Sequence, residues 1–373
     1  MKKNRDSNFE LLRIISMFCI VLWHTILNGN ILTNSTGVSN FIFYFIMFLI
    51  ISHVNLFMLI TGYYQVNVKF KLKKIISLLA QIGFYNIIIN TILYVSGLVE
   101  YNNVSFVKSI MFFKTNDYWF VECYIIVYLL SPFFNKFINS CDRTTLKKLI
   151  IVLIMSFAFI PFFTGGLFHY SNNLTVSQYI IMYFIGAYIR KYDLDSKILS
   201  NINITQKRLV LITTFITCMM FNLSLYYLSK FFANLDSNIF RELSSQMDLY
   251  KFNYGNPLVV LQSLSVFLLF STFKFKSKII NSISSLTLAV YLIHDNIKIR
   301  TNIFKWFGID PGEAIYGKSI IIKVLVVACI IFITCLLIEL LRKIIFKLLS
   351  RNKYINNICT NINSYMDRLT LVK

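Results

Sequence analysis

The stretch FELLRIISMFCIVLWHTIL, residues 9–27, is long and apolar enough to cross a bilayer, yet it contains an arginine and a histidine. An ionisable side chain inside a bilayer costs about 2.5–3.5 kcal/mol on insertion scales, so Arg13 and His24 are functional candidates by default. Eleven residues are close to three helical turns, which places both side chains on one helix face, about 16 Å apart along the axis. We expect this face to point at protein, with Glu10 forming an ion pair with Arg13.

The composition indicates an all-α polytopic membrane protein. Of the 373 residues, 57% are hydrophobic and 14% are charged, whereas soluble proteins have about 25% charged residues. A span needs ~20 mostly apolar residues, and the chain offers about ten transmembrane helices of this kind. Apolar runs that fit a span lie near residues 9–27, 41–62, 75–97, 119–134, 149–168, 178–189, 209–229, 257–273, 281–297 and 319–341.

Basic residues are distributed unequally between the loops on the two sides of these predicted spans. If the amino terminus is inside, the cytoplasmic segments hold 26 of the 37 Lys and Arg residues, and the opposite segments hold 10. The positive-inside rule therefore predicts both termini in the cytoplasm. The net charge of +21 is spread over many loops and forms no single face, which favours contact with membrane lipid and argues against nucleic acid.

The domain organisation that we predict is simple. Residues 1–345 form one integral membrane domain, and residues 346–373 form a cytoplasmic tail whose apolar residues recur at the spacing of an interfacial amphipathic helix. The seven cysteines follow neither a disulfide framework nor a zinc-binding spacing. We expect no metal site.

RIISMFCIVLWH, from Arg13 to His24, resembles the motif of an arginine, ten residues and a histidine in the acyltransferase 3 family of bacterial membrane proteins. Four later segments resemble spans of that family in the same order, especially in the branch that modifies cell-surface polysaccharides. The segments are VNLFMLITGYY (54–64), YWFVECYIIVYLLSPFFN (118–135), MYFIGAYIRKY (182–192) and SLTLAVYLIHDN (285–296). The resemblance implies a multi-pass protein of the bacterial plasma membrane. Its activity would be acyl transfer, usually of acetyl, from cytoplasmic acetyl-CoA to a hydroxyl of a polysaccharide or lipid-linked glycan.

The chain departs from this family at the start of the third span. Where the family often has two arginines, this chain has Lys71 and Lys74. Lysine neutralises a phosphate as a point charge but cannot make the planar bidentate contact of arginine. Our candidates for binding the CoA phosphates are Arg13 with Lys69, Lys71, Lys73 and Lys74, although a basic loop that fixes topology is the default interpretation of the lysines.

Acyl transfer from a thioester to an alcohol needs a base for the hydroxyl proton, a donor or cation for the developing oxyanion, and a site without water. His24 suits the first task because the pKa of histidine lies near neutrality. It can act as the base or accept the acyl group briefly. Arg13 can bind CoA phosphates or polarise the thioester carbonyl. The simpler alternative for this pair is a buried structural bridge to other helices.

Five further polar or aromatic residues are site candidates. Glu122 can orient His24 or bind the acceptor, since an unpaired buried carboxylate would be costly. Structural pairing with another helix explains this carboxylate equally well. Trp119 and Tyr124 beside it are candidates for sugar binding. His294 and Asp295 are also candidates for sugar binding. However, they lie at the end of the ninth predicted span, where the membrane interface lowers the free-energy cost of placing a polar group.

Two other classes of function compete with the enzyme. A transporter or flippase for a lipid-linked glycan would also need many spans and intramembrane charges. A non-catalytic membrane subunit is the third class, but an assembly role gives no reason for Arg13 and His24 to share one helix face.

Overall fold

The computed structural model describes residues 6–98, 100, 118–161, 176–248, 251–300, 302–309 and 319–349. Most of these residues are α-helical, with short connections between the helices. The α-helices are, in chain order, α1 (Ser7–Asn28), α2 (Ile31–Asn34), α3 (Gly37–Ile50), α4 (His53–Gln65), α5 (Leu72–Val95), α6 (Trp119–Ser140), α7 (Arg143–Ile154), α8 (Val176–Lys191), α9 (Leu194–Lys197), α10 (Ile204–Ala233), α11 (Asn238–Asp248), α12 (Pro257–Ser271), α13 (Lys278–Ser284), α14 (Thr287–His294), α15 (Ile303–Trp306) and α16 (Ser319–Leu349).

Six helical segments of the described residues are long and apolar enough to cross a membrane. Each coincides with one of the ten predicted spans, so the all-helical, multi-pass fold is confirmed. The count of ten and the side on which the termini lie stay predictions. The six segments are Ser7–Asn28, Gly37–Gln65, Leu72–Val95, Trp119–Ser140, Ile204–Ala233 and Ser319–Leu348.

Helix α6 is longer than the predicted span of residues 119–134, because it continues through Pro132 to Ser140. Proline has no N–H, so the carbonyl oxygen of Tyr128 loses its usual partner one turn later. The hydroxyl of Ser131 donates a hydrogen bond to that oxygen at 2.7 Å. The Ser131 hydroxyl thus takes the place of the missing N–H donor, and the carbonyl oxygen stays hydrogen-bonded where the membrane offers no water.

The end of the chain is described only in part. Helix α16 continues to Leu349 and so crosses the boundary predicted at residue 345. The predicted amphipathic helix of the tail lies in residues 350–373, outside the described residues.

The described residues belong to two compact units. Unit 1 draws on residues 1–16, 40–68 and 126–281, and unit 2 draws on residues 17–39, 69–125 and 282–373. The boundary between them passes through α1, so Arg13 belongs to unit 1 and His24 to unit 2.

In unit 1, helices α4 and α8 cross at two glycines. A Cβ atom on Gly62 would lie 2.1 Å from the carbonyl oxygen of Tyr183, and one on Gly186 would lie 2.2 Å from the carbonyl oxygen of Leu59. The absence of both side chains allows the two backbones to touch, which is a common packing mode of membrane helices.

In unit 2, a buried carboxylate joins α5 to α16. Glu339 is 1% exposed and accepts hydrogen bonds from Arg342 at 2.6 and 2.7 Å and from the Tyr85 hydroxyl. A paired and hydrogen-bonded charge of this kind is tolerated in a low-dielectric interior. Helix α14, whose last residue is His294, packs against these two helices.

We expect Gly186→Ala to destabilise the protein by about 1–3 kcal/mol, because the new methyl group meets a backbone atom that cannot rotate away. Thermal unfolding of the detergent-solubilised protein measures the effect. Ser224→Ala, on an exposed face of α10, is the control and should leave the midpoint nearly unchanged. Equal midpoints for the two variants would contradict the close crossing.

Candidate active site

The first helix carries both residues of the arginine and histidine motif. Nη1 of Arg13 donates a hydrogen bond to Oε1 of Glu10 at 2.9 Å, which is the expected ion pair. The Arg13 side chain is 29% exposed and the Glu10 side chain 7% exposed. The carboxylate therefore holds the guanidinium from one side and leaves most of its donors available.

His24 contacts a second histidine that is distant in the sequence. Nδ1 of His24 lies 3.0 Å from Nε2 of His294, and Nδ1 of His294 lies 2.5 Å from the carbonyl oxygen of Val290. His294 is 0% exposed, and the His24 side chain is 16% exposed. The three groups form a chain of hydrogen bonds from the backbone of α14 to the imidazole of α1.

The direction of this chain follows from the carbonyl at its end. A carbonyl oxygen only accepts, so the hydrogen of His294 is on Nδ1 and its Nε2 accepts in the neutral form. Nδ1 of His24 is then the donor, which also fits its distance of 3.6 Å from Oδ1 of Asp295. The neutral His24 consequently has its lone pair on Nε2. Among the described residues, no group hydrogen-bonds to that nitrogen.

Asp295 lies between the imidazole and a cation. Its Oδ1 is 3.6 Å from Nδ1 of His24 and 3.7 Å from Nη1 of Arg300. Asp295 is 3% exposed as a residue, whereas the Arg300 side chain is 32% exposed. The carboxylate is thus held by Arg300 and faces the nitrogen whose hydrogen it stabilises when His24 becomes positively charged.

The structure adds to what the sequence indicates for His294 and Asp295. Both lie at the end of a helix, as predicted, and both are buried within the protein, whereas their position at the membrane interface stays a prediction. Burial of these two polar side chains is tolerated because His294 is hydrogen-bonded to Val290 and His24, and Asp295 lies beside Arg300. Arg300 is a member of the cluster that sequence reasoning missed. The charge of Arg300 was the only signal in the sequence. Arg300 lies in a segment that the positive-inside rule counts as an ordinary loop.

A second polar network fixes the backbone around His294. The hydroxyl of Tyr118 donates to the carbonyl oxygen of Leu292 at 2.8 Å and lies 3.1 Å from Oδ1 of Asn86. Nδ2 of Asn296 donates to the same Oδ1 at 2.8 Å and to the Tyr118 hydroxyl at 3.0 Å. Tyr118, Asn86 and Asn296 therefore hold the residues on both sides of His294 and Asp295.

The other predicted site residues belong to unit 2 and lie in the first turns of α6 or at the start of α5. Trp119, Glu122 and Tyr124 are half-buried in the first turns of α6. The groups that contact the His24 imidazole are instead His294 and Asp295 of α14 and its cap. The roles of the three α6 residues stay predictions.

The four predicted phosphate ligands lie at the start of α5. Lys69, Lys71 and Lys74 are exposed, and Lys73 is half-buried in the first turn. They belong to unit 2, whereas Arg13 belongs to unit 1. Their role in donor binding also stays a prediction.

Comparison with protein families finds one match. The family model for an acyltransferase domain, that of the acyltransferase 3 family, matches residues 6–341, nearly the whole chain. The search of curated proteins and the search of solved structures find no match.

We expect Tyr118→Phe to destabilise unit 2 by about 1–3 kcal/mol, because the carbonyl oxygen of Leu292 loses its buried donor. The measurement is the thermal unfolding midpoint of the purified protein. Tyr227→Phe removes a hydroxyl from a tyrosine that is 37% exposed and is the matched control. If both variants unfold at the same temperature, the network does not hold the site.

Proposed function

Since the chain belongs to the acyltransferase 3 family, we propose that it is a membrane-bound O-acyltransferase that moves an acetyl group. The donor is cytoplasmic acetyl-CoA, and the acceptor is a hydroxyl of a cell-surface or lipid-linked carbohydrate at the bacterial plasma membrane. Family membership supports the acyltransferase activity, and the resemblance of the five motif segments supports this choice of donor and acceptor.

The observation that carries the proposal is the lone pair on Nε2 of His24, to which no group among the described residues forms a hydrogen bond. Nε2 of His294 lies 3.0 Å from Nδ1 of His24 and accepts its hydrogen, so Nε2 of His24 is available to take a proton. A general base must have its acceptor atom free and its ring orientation fixed. His24 has both properties, and its position in a membrane-spanning helix keeps bulk water away.

In the proposed reaction, the acceptor hydroxyl attacks the carbonyl carbon of the thioester. Nε2 of His24 takes the hydroxyl proton as the new C–O bond forms. The C–S bond then breaks, and the CoA thiolate takes the proton from His24 and leaves as a thiol. The imidazolium that forms between these steps is stabilised by Asp295, whose Oδ1 lies 3.6 Å from Nδ1.

Arg13 and the lysines of the α5 start have supporting roles in this proposal. Arg13 binds a phosphate of the donor or polarises the thioester carbonyl, since a guanidinium offers several directed donors. Glu10 orients it through the bond of 2.9 Å. Lys69, Lys71, Lys73 and Lys74 attract the anionic donor to the membrane surface. Glu122 orients His24 or binds the acceptor, and Trp119 and Tyr124 contact the sugar.

We expect His24→Ala to lower the rate of acetyl transfer by about 10²–10⁴-fold, because the reaction loses its general base. Membranes that contain each variant are assayed with labelled acetyl-CoA, and surface glycans are compared by mass spectrometry. His53→Ala is the control, since His53 is also a buried histidine but lies in unit 1. Its rate per folded molecule should stay near that of the wild type. Full activity in His24→Ala would refute the assignment of the base.

The role of His294 is tested by two amide substitutions. A glutamine places an amide group near the position of Nε2 and can accept from His24, whereas an asparagine reaches only the position of Nδ1. We expect His294→Asn to lower kcat by roughly 10–100-fold, because the asparagine leaves Nδ1 of His24 without an acceptor. His294→Gln should lower kcat less, because the glutamine still provides that acceptor. The pH profile of kcat should shift in His294→Asn. Identical kinetics in the two variants would mean that His294 only fills space.

A further inference from the structure

We propose that a polar cavity in unit 1 binds the nucleotide end of the acyl donor. The ligand class is an adenine nucleotide whose phosphates are recognised by basic side chains, and this choice of ligand rests on the proposed function. The cavity has a volume of about 630 Å³, and basic, aromatic and acidic side chains line it together with Asn8. None of its residues belongs to the cluster around His24.

Three basic side chains supply the phosphate contacts. Arg190, Lys274 and Lys276 all line the cavity. Nη1 of Arg190 donates to the Tyr63 hydroxyl at 2.9 Å, which fixes the guanidinium and leaves its other N–H groups available. Within the described part of the chain, neither lysine forms an ion pair or a hydrogen bond. Two ammonium groups and a fixed guanidinium around one cavity match a ligand with several phosphates.

Aromatic rings supply surfaces for a planar base. Phe9 and Tyr63 are buried in the cavity wall with their ring centroids 5.2 Å apart. Phe275 lies between the two lysines and is 37% exposed, although it is a large apolar side chain. An exposed ring beside cationic groups is suited to stacking on a base whose phosphates lie nearby.

Two carboxylates favour a nucleotide over an anionic lipid headgroup. Asp6 and Asp195 also line the cavity, and Oδ2 of Asp195 accepts from the Tyr63 hydroxyl at 3.1 Å. A carboxylate repels a phosphate but accepts hydrogen bonds from the amino group of adenine or from ribose hydroxyls. A site that held only a phosphate headgroup would have no use for two negative charges.

The position of the cavity agrees with the predicted topology. It is formed by the start of α1 and by the segment just before α13, which the positive-inside rule places on the cytoplasmic side. Acetyl-CoA is made on that side. The lysines at the start of α5, which are phosphate-ligand candidates from the sequence, belong to the other unit.

The test compares the double variant Lys274→Ala/Lys276→Ala with the wild type on two donors. With acetyl-CoA, we expect KM to rise about tenfold at unchanged kcat, because charge-assisted bonds to the donor phosphates are lost. With S-acetylpantetheine, which lacks the nucleotide and its phosphates, KM should not change. Lys278→Ala is the matched control, since Lys278 belongs to the same basic segment but does not line the cavity.

Three outcomes would overturn the inference. One is a KM for acetyl-CoA that is the same in the double variant and the wild type. Another is an equal rise in Lys278→Ala, which would indicate a general effect of surface charge. The third is a donor-specific rise in Lys71→Ala/Lys74→Ala and none in the cavity variant, which would place the phosphates at the start of α5.

A binding measurement separates this inference from the proposed function. Adenosine 3′,5′-bisphosphate, the nucleotide end of CoA without its thioester arm, is titrated into the purified protein. Lysine-dependent binding without any acetyl transfer would support the cavity and refute the proposed function. Acetyl transfer without such binding would refute the cavity alone. Lysine-dependent stabilisation by phosphatidylglycerol nanodiscs, with no binding of the nucleotide, would assign the cavity to a lipid headgroup and so overturn the inference.

Discussion

The hydrogen bond between His24 and His294 is the interaction on which the proposed chemistry depends. A buried imidazole needs a hydrogen-bond partner at each nitrogen. Nδ1 of His294 bonds to the backbone carbonyl of Val290, and its Nε2 bonds to Nδ1 of His24. Because the carbonyl can only accept, the position of every hydrogen in the chain follows from the backbone of α14. The reactive nitrogen of His24 is therefore set by a main-chain atom in another helix.

A membrane environment explains why many polar side chains in both units are hydrogen-bonded within the protein. An unpaired polar atom costs several kcal/mol in hydrocarbon, so a partner inside the protein is strongly favourable. Ser131 replaces the missing donor of Pro132, and Arg342 and Tyr85 satisfy Glu339. The contact between Tyr85 and Glu339 joins α5 to α16, and the network of Asn86, Tyr118 and Asn296 holds the residues beside His294.

The two units divide the candidate chemistry between them. Unit 2 contains the imidazole pair, Asp295 and Arg300, whereas unit 1 contains Arg13 and the nucleotide cavity proposed above. Helix α1 is common to both, since its first half belongs to unit 1 and its second half to unit 2. A single helix thus carries both residues to which we assign roles in the proposed function, Arg13 in donor binding and His24 in proton transfer.

The sequence by itself determined the helical class, six of the spans, the local Glu10 and Arg13 ion pair, and the family. Each of these depends on residues close together in the chain, where apolar length, helical spacing and motif order are directly readable. Only the tertiary structure decided that His294 and Asp295 are buried against His24, that Arg300 joins them, and that Lys274 and Lys276 share a cavity with Arg190. Those pairings join residues up to 271 positions apart, such as His24 and Asp295, and their geometry arises from helix packing, which no local pattern encodes.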